Sequence, residues 1–196
     1  ISGTASSTGR AVFMMTDAAA NMGEVTSVNV TVNGISAHSV ENGWVTVSTA
    51  TNTYDLLALK ANGNNVLLAD VQLQNGTYDQ VRLGISKVVI TDAQGDHDAK
   101  LPSNELKIVG KIVVKANTTS AVTFDFIADE SLHKTGNGTY ILAPVVRLQT
   151  RENAEVDTRD GNDVRVIRGD VDVDEKVGMD IRGNVGIGNR IPQDAE

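Results

Sequence analysis

The sequence predicts an all-β fold: a two-sheet antiparallel β-sandwich, immunoglobulin-like or prealbumin-like, with a β-strand extension at its C-terminal end. Three observations lead there. Asn-Gly-Thr-Tyr occurs twice, at Asn75 to Tyr78 and at Asn137 to Tyr140, and each copy opens a strand-like run. Asn-Gly supplies two residues that tolerate positive φ, so it turns the chain before a pleated segment. Several runs alternate apolar and polar residues at period two, as in Val28-Asn29-Val30-Thr31-Val32 and Val122-Thr123-Phe124-Asp125-Phe126. That alternation sets one face inward and the other in water. Finally, 18 glycines and 3 prolines among abundant Val, Thr and Asn suit short strands joined by tight turns.

The strands are expected, in order, at Arg10 to Thr16, Val25 to Val32 with a continuation to His38, Trp44 to Ser48, and Asn65 to Gln74. Further ones follow at Tyr78 to Ile90, Glu105 to Lys115, Ser120 to Ala128 and Tyr140 to Leu148. Asn42-Gly43 ahead of Trp44 is a hairpin signal. Tyr54 to Lys60 fits either a strand or one short helical turn. Residues 1–9 are small and polar and read as a flexible leader of a chain already trimmed, followed by a sandwich over 10–150. Arg151 to Asp163 is charged and lacks apolar pattern, so it reads as a linker. Within 164–196, Ile167-Arg168-Gly169-Asp170-Val171-Asp172-Val173 returns as Ile181-Arg182-Gly183-Asn184-Val185-Gly186-Ile187. A lone ribbon is marginal in water, so these strands should pair with the main domain or a neighbouring subunit.

Composition narrows the function classes. A chain of 196 residues buries a core without crosslinks, and the absence of cysteine removes disulfides, thiolate metal sites and thiol catalysis. With 17 basic and 25 acidic residues the net charge is −8, which argues against nucleic acid or an anionic membrane as main partner. No apolar run approaches the ~20 residues needed to cross a bilayer as a helix.

Several elements in fixed order resemble the domain-of-unknown-function family 4382 (DUF4382). They are Val12 to Ala18, Val25 to Val30, Tyr54-Asp55-Leu56-Leu57-Ala58-Leu59, Gly76-Thr77-Tyr78-Asp79-Gln80-Val81-Arg82-Leu83, and Ser131 to Leu148. The resemblance covers about residues 10–150. It implies a β-sandwich of an exported bacterial or archaeal protein, carried at the cell surface and often lipid-anchored. It brings no activity and no catalytic residues.

No nucleophile, base and orienting group assemble from the sequence, so an enzyme is not expected. The serines lack a Gly-x-Ser-x-Gly elbow, and His38, His97 and His133 stand in no ligand spacing. Asp92, Asp96 and Asp98 crowd a turn with His97, where a hard cation such as Ca²⁺ finds oxygen ligands; a solvated acidic hairpin tip is the competing reading. No other cofactor is expected. Asp170, Asp172 and Asp174 at period two want water, a cation or basic partners. Trp44 is expected to pack in the core or on a sheet. Asn29, Asn75, Asn117 and Asn137 each open an Asn-x-Thr acceptor for N-linked sugar.

The leading expectation is an extracellular or cell-surface structural subunit that polymerises with copies of itself, pilus-like, by strand exchange. Open sheets present unpaired N–H and C=O groups that an extended segment can satisfy. Val12, Phe13, Met14 and Met15 form one candidate donor; Val171, Val173, Val185 and Ile187 form the rival. The competing donor-free reading makes Val12 to Thr16 the domain's own first strand. The runner-up function is a monomeric surface domain binding carbohydrate or another ligand.

Overall fold

Period-two alternation and Asn-Gly turns fold into strands wherever one face finds apolar cover. A computed structural model describes residues 7–17, 22–62, 65–179, 181–182 and 185–187. In chain order the elements are β1 (Thr8–Asp17), β2 (Ser27–Ser39), β3 (Gly43–Ser48), β4 (Asn52–Asp55), α1 (Leu56–Asn62), β5 (Val66–Gln74) and β6 (Gly76–Asp92). They continue with β7 (Gly95–Asp98), β8 (Glu105–Val114), β9 (Thr119–Phe126), α2 (Ala128–Ser131), β10 (Leu132–Lys134) and β11 (Tyr140–Leu142). The last three are β12 (Val145–Asp157), β13 (Arg165–Met179) and β14 (Val185–Ile187).

The fold is all-β, and its strands form two main sheets. One runs β14-β13-β12-β9-β1-β5; the other runs β3-β2-β6-β7, with β4 also on β2 and β8 also on β6. Every pairing between strands is antiparallel except β1 with β9, which is parallel. A parallel pair needs a long crossover, and here the crossover carries the whole second sheet together with β5.

The core lies between the sheets. From the first come Ala11, Phe13 and Met15 of β1, Val122, Phe124 and Phe126 of β9, and Val146 and Leu148 of β12. From the second come Val28, Val30, Val81, Leu83, Ile85 and Ile108, among others. At Gly110 the sheets approach so closely that an added Cβ would stand 2.5 Å from Leu148 Cδ2, which only glycine avoids without a shift. A smaller cluster lies on the opposite face of the first sheet: Val12, Met14, Ala121, Val156 and Val164. It exists because β12 leaves β9 after Arg151↔Ala121, where a bulge and a left-handed Asn153 (φ 48°) bend the β12–β13 hairpin back across the sheet.

Several expectations need correction. Arg151 to Asp157 continues β12, so the expected linker over 151–163 is half strand and half turn. Thr8 and Gly9 belong to β1 rather than to a leader; residues 1–6 lie outside the described residues. Tyr140 to Leu148 is two strands, because Pro144 lacks an N–H and interrupts the ladder. Tyr54 to Lys60 splits into the end of β4 and α1, whose Leu57 N–H is capped by Asp55 Oδ1 at 3.1 Å. The first repeat copy lies in β13, and Val185 to Ile187 of the second pairs with Val177 to Met179. The first copy extends the chain's own sheet within β13, and Val185 to Ile187 of the second add the next strand; Gly183 and Asn184 lie outside the described residues.

Candidate functional site

The feature with most functional content is the slot that holds β1. Phe13 pairs with Ala69 of β5 on one side and Val122 of β9 on the other, so both edges of β1 are hydrogen-bonded. Ala11, Val12, Phe13, Met14 and Met15 are all fully buried. The second sheet covers one face of the strand, and the folded-back hairpin covers the other. Arg10 closes the entrance. Its Nε and Nη2 donate to the two carboxylate oxygens of Asp70 at 2.9 and 2.8 Å, and Nη2 also reaches Thr158 Oγ1 at 3.0 Å. That guanidinium holds the Asp70 carboxyl below its ordinary range. The hairpin is tied to β5 as well, by Leu67 N–H to Gly161 O and Val164 N–H to Asn65 O, both 2.8 Å.

The rival donor residues are dispersed. Val173 packs partly buried against the main core, whereas Val171 is 50% exposed. Val185 pairs with Met179, and Ile187 with Val177.

Beside the smaller apolar cluster, the outer face of the first sheet carries a cleft of about 460 Å³, lined by Thr123, Asp125, Arg147, Gln149, Arg151 and Arg168 among others. Arg147 is held bidentately by Asp174, and Arg151 donates to Gly169 O at 2.9 Å. Its arginines therefore already hold the hairpin together. Asp174 is thus ion-paired to Arg147, and Asp170 accepts from Asn153 Nδ2, so the three aspartates of β13 do not act as one stack. Asp172, on the bulge opposite Thr150 and Arg151, is the exception. Its carboxyl is raised from 3.8 to about 6, first by burial and then by sharing a proton with Glu152. Glu152 is in turn held below its ordinary range, first by the hydrogen bond with Asp172 and then by Lys115 Nζ at 2.9 Å, so it is the ionised partner. A carboxyl raised on folding lends stability at low pH and withdraws it as pH climbs past its folded value. Asp172→Asn should therefore raise the urea midpoint at pH 7 and leave it unchanged at pH 4.

The acidic turn does not gather its carboxylates. Asp92 points inward, accepting from Tyr140 OH at 2.6 Å and from Gln94 N–H at 2.9 Å, with His97 Nε2 2.8 Å away. Asp96 accepts from Thr91 Oγ1 at 2.7 Å, and Asp98 lies 3.9 Å from Lys87 Nζ. Among the described residues no three metal-ligating side chains share a centre. The Tyr140 hydroxyl, then His97, hold Asp92 from 3.8 down to about 2, and Asp92 pushes Tyr140 from 10.0 up to about 12. The depressed carboxyl adds stability above about pH 4 that is lost as pH falls towards 2; the raised phenol adds stability below pH 10 that is lost as pH rises towards 12. Tyr140→Phe should flatten both limbs of the unfolding midpoint against pH.

Trp44 is not in the core. It is 41% exposed on the outer face of the second sheet, with the Arg82 guanidinium 3.8 Å from its ring centroid and His38 edge-on at 5.1 Å. Cross-strand register puts Trp44, His38, Gln80 and Val109 in one row, and Thr46, Ser36, Arg82 and Lys107 in the next. His133 is half-buried on β10, and the neighbouring Glu130 pairs with Lys176 instead. Asn75, Asn117 and Asn137 stand exposed at turns, Asn117 left-handed at φ 61°, while Asn29 is half-buried in β2 with its amide bonded to Ser27 Oγ.

Sequence reasoning missed the Arg10–Asp70 clip, the Tyr140–Asp92 bond and the Trp44–Arg82 stack. Their partners stand 60, 48 and 38 positions apart, and only the folded register unites them.

A family model described as a domain of unknown function, DUF4382, matches residues 8–144. The chain belongs to this family. No curated protein and no solved structure matches it. The DUF4382 match opens at β1 and closes after β11, so the slot strand and both neighbours β5 and β9 lie inside it, and the β12–β13 hairpin lies beyond it. No helix among the described residues is long and apolar enough to cross a membrane.

Proposed function

We propose that this DUF4382 chain is an extracellular structural subunit that builds a filament by exchanging β1 between neighbours. The observation that supports the reading is that β1, the family domain's first strand, occupies an interior position with both edges paired and both faces covered. The next strand in the chain, β2, lies in the other sheet, so residues 18–26 alone join β1 to β2. Nine extended residues reach ~30 Å. A neighbour's β1 can therefore fill the slot with the same contacts, a head-to-tail arrangement that need not close. Glycan acceptors at the exposed turns Asn75, Asn117 and Asn137 suit an exported surface, and an intact mass carrying added hexose checks that part.

Mixing a chain that lacks residues 1–17 with a peptide of residues 7–17 should restore a cooperative unfolding transition. The concentrated full chain should show filaments by negative-stain microscopy. Dispersed particles alone, from a chain whose slot does accept the peptide, would overturn the reading.

A second reading is favoured by Trp44. An exposed indole flanked by Gln80, Arg82 and His38 on a flat sheet offers a sugar one stacking surface and several hydrogen-bonding groups. Tryptophan fluorescence unmoved by any oligosaccharide would remove it.

A further inference from the structure

We infer that the outer edge of β13 pairs with the same edge of a second copy, antiparallel about a two-fold axis at Gly169. β13 is bonded to β12 along one side, but β14 covers its other side only from Val177 to Met179. From Arg165 to Lys176 no described strand lies on that edge. Such a rim is a template for strand addition, and charged side chains usually blunt it. Here the charges are arranged so that the edge complements itself.

Along Ile167-Arg168-Gly169-Asp170-Val171 the chemistry reads apolar, basic, glycine, acidic, apolar. Ile167 and Val171 are 59% and 50% exposed, two of the few large apolar residues left in solvent. In an antiparallel pair centred on Gly169, Ile167 meets the other copy's Val171, and Arg168 meets its Asp170. Each contact occurs twice by symmetry, and cross-strand apolar and opposite-charge pairs are what stabilise a sheet edge. Shifting the centre by one residue sets Arg168 against Arg168 or Asp170 against Asp170, so the register is selected by repulsion as well as attraction.

The present partners do not prevent this. Arg168 Nε holds Glu155 at 3.0 Å with its side chain 78% exposed, which leaves guanidinium donors for a second carboxylate. Asp170 accepts from Asn153 Nδ2 at 3.3 Å and keeps a further oxygen. The contact is independent of β1 exchange: it is two-fold and closed, and it leaves the slot untouched.

Sedimentation equilibrium of the full chain tests the idea. The expected result is a monomer–dimer equilibrium that Asp170→Arg weakens roughly tenfold or more, through two like-charge pairs. The double variant Arg168→Asp with Asp170→Arg should restore the dimer. Because the chain lacks cysteine, Ile167→Cys mixed with Val171→Cys should crosslink, whereas either alone should not. A chain that stays monomeric at every concentration, an unaffected Asp170→Arg, or an unrescued double variant would each overturn the proposal. So would amide protection of residues 165–171 that does not depend on concentration, since their cover would then be intramolecular. A chain monomeric at every concentration would also count against filament formation through β1, whereas the other three results leave that reading standing.

Discussion

Phe124→Ala should cost the fold about 3–5 kcal/mol, a large share of the ~5–15 kcal/mol that holds a domain of this kind. Phe124 is fully buried at the middle of the first sheet, opposite Met15 of β1 and Leu148 of β12. Its ring therefore packs in a row whose two neighbours are themselves fully buried, and the second sheet closes the space above. Removing the ring forfeits its transfer free energy and leaves a void that strands paired on both sides cannot collapse to fill. Thr123→Ala, next along β9 but facing the polar cleft, is the control and should stay within about 0.5 kcal/mol. Urea unfolding measures both: the midpoint should fall for Phe124→Ala at an unchanged slope. A midpoint within error of the parent would mean that the two-sheet core is not what holds this chain together.

What was legible in the sequence is what period two encodes. β2, β3, β5, β6, β8 and β9 fall within a few residues of expectation because each has one face on the core, written largely as alternating apolar residues, and β1 does so because its continuous apolar run is buried on both faces. The distal half of β12 was not legible, since most of it meets polar partners, Glu155 meeting Arg168 and Arg151 meeting Gly169 O, and only Ala154 and Val156 reach an apolar cluster. Its run therefore carries no alternation. Pro144 did carry the signal for the break between β11 and β12, and the apolar run around it hid that signal. β7 is four residues long, with two of them acidic and none apolar, so its turn, set by Asp92 accepting Gln94 N–H, was visible while its strand was not. The slot was legible only in half. The burial of Val12 to Met15 follows from their composition, but a parallel partner more than 100 residues away leaves no local trace. The donor-free reading of β1 and the exchange reading use the same contacts, so they are told apart by microscopy of the concentrated chain rather than by pattern.

Gly9→Ala should be the most damaging substitution at the slot's entrance, by about 2–4 kcal/mol from overpacking and two disturbed hydrogen bonds. A Cβ at Gly9 would stand 2.3 Å from Lys115 O and 2.8 Å from Val114 Cγ1. The nearer atom is backbone, so it cannot swing aside as a side chain can. On either side of Gly9, Asn117 N–H donates to Thr8 O at 3.2 Å and Arg10 N–H donates to Thr118 O at 2.9 Å. Moving the strand away from Lys115 strains both. Gly43→Ala provides the contrast: its φ of 75° is strained for alanine, yet nothing lies within 4 Å, so the cost should stay near 1 kcal/mol. Thermal unfolding ranks the two, and Gly9→Ala should also shorten amide protection along β1. The same substitution reaches the proposed function, because a strand arriving from a neighbour must pass the same carbonyl. A peptide of residues 7–17 carrying Gly9→Ala should fail to rescue the chain lacking residues 1–17 at concentrations where the parent peptide succeeds. Equal rescue by both peptides would mean that the donated strand, if any, does not sit in the slot as β1 does.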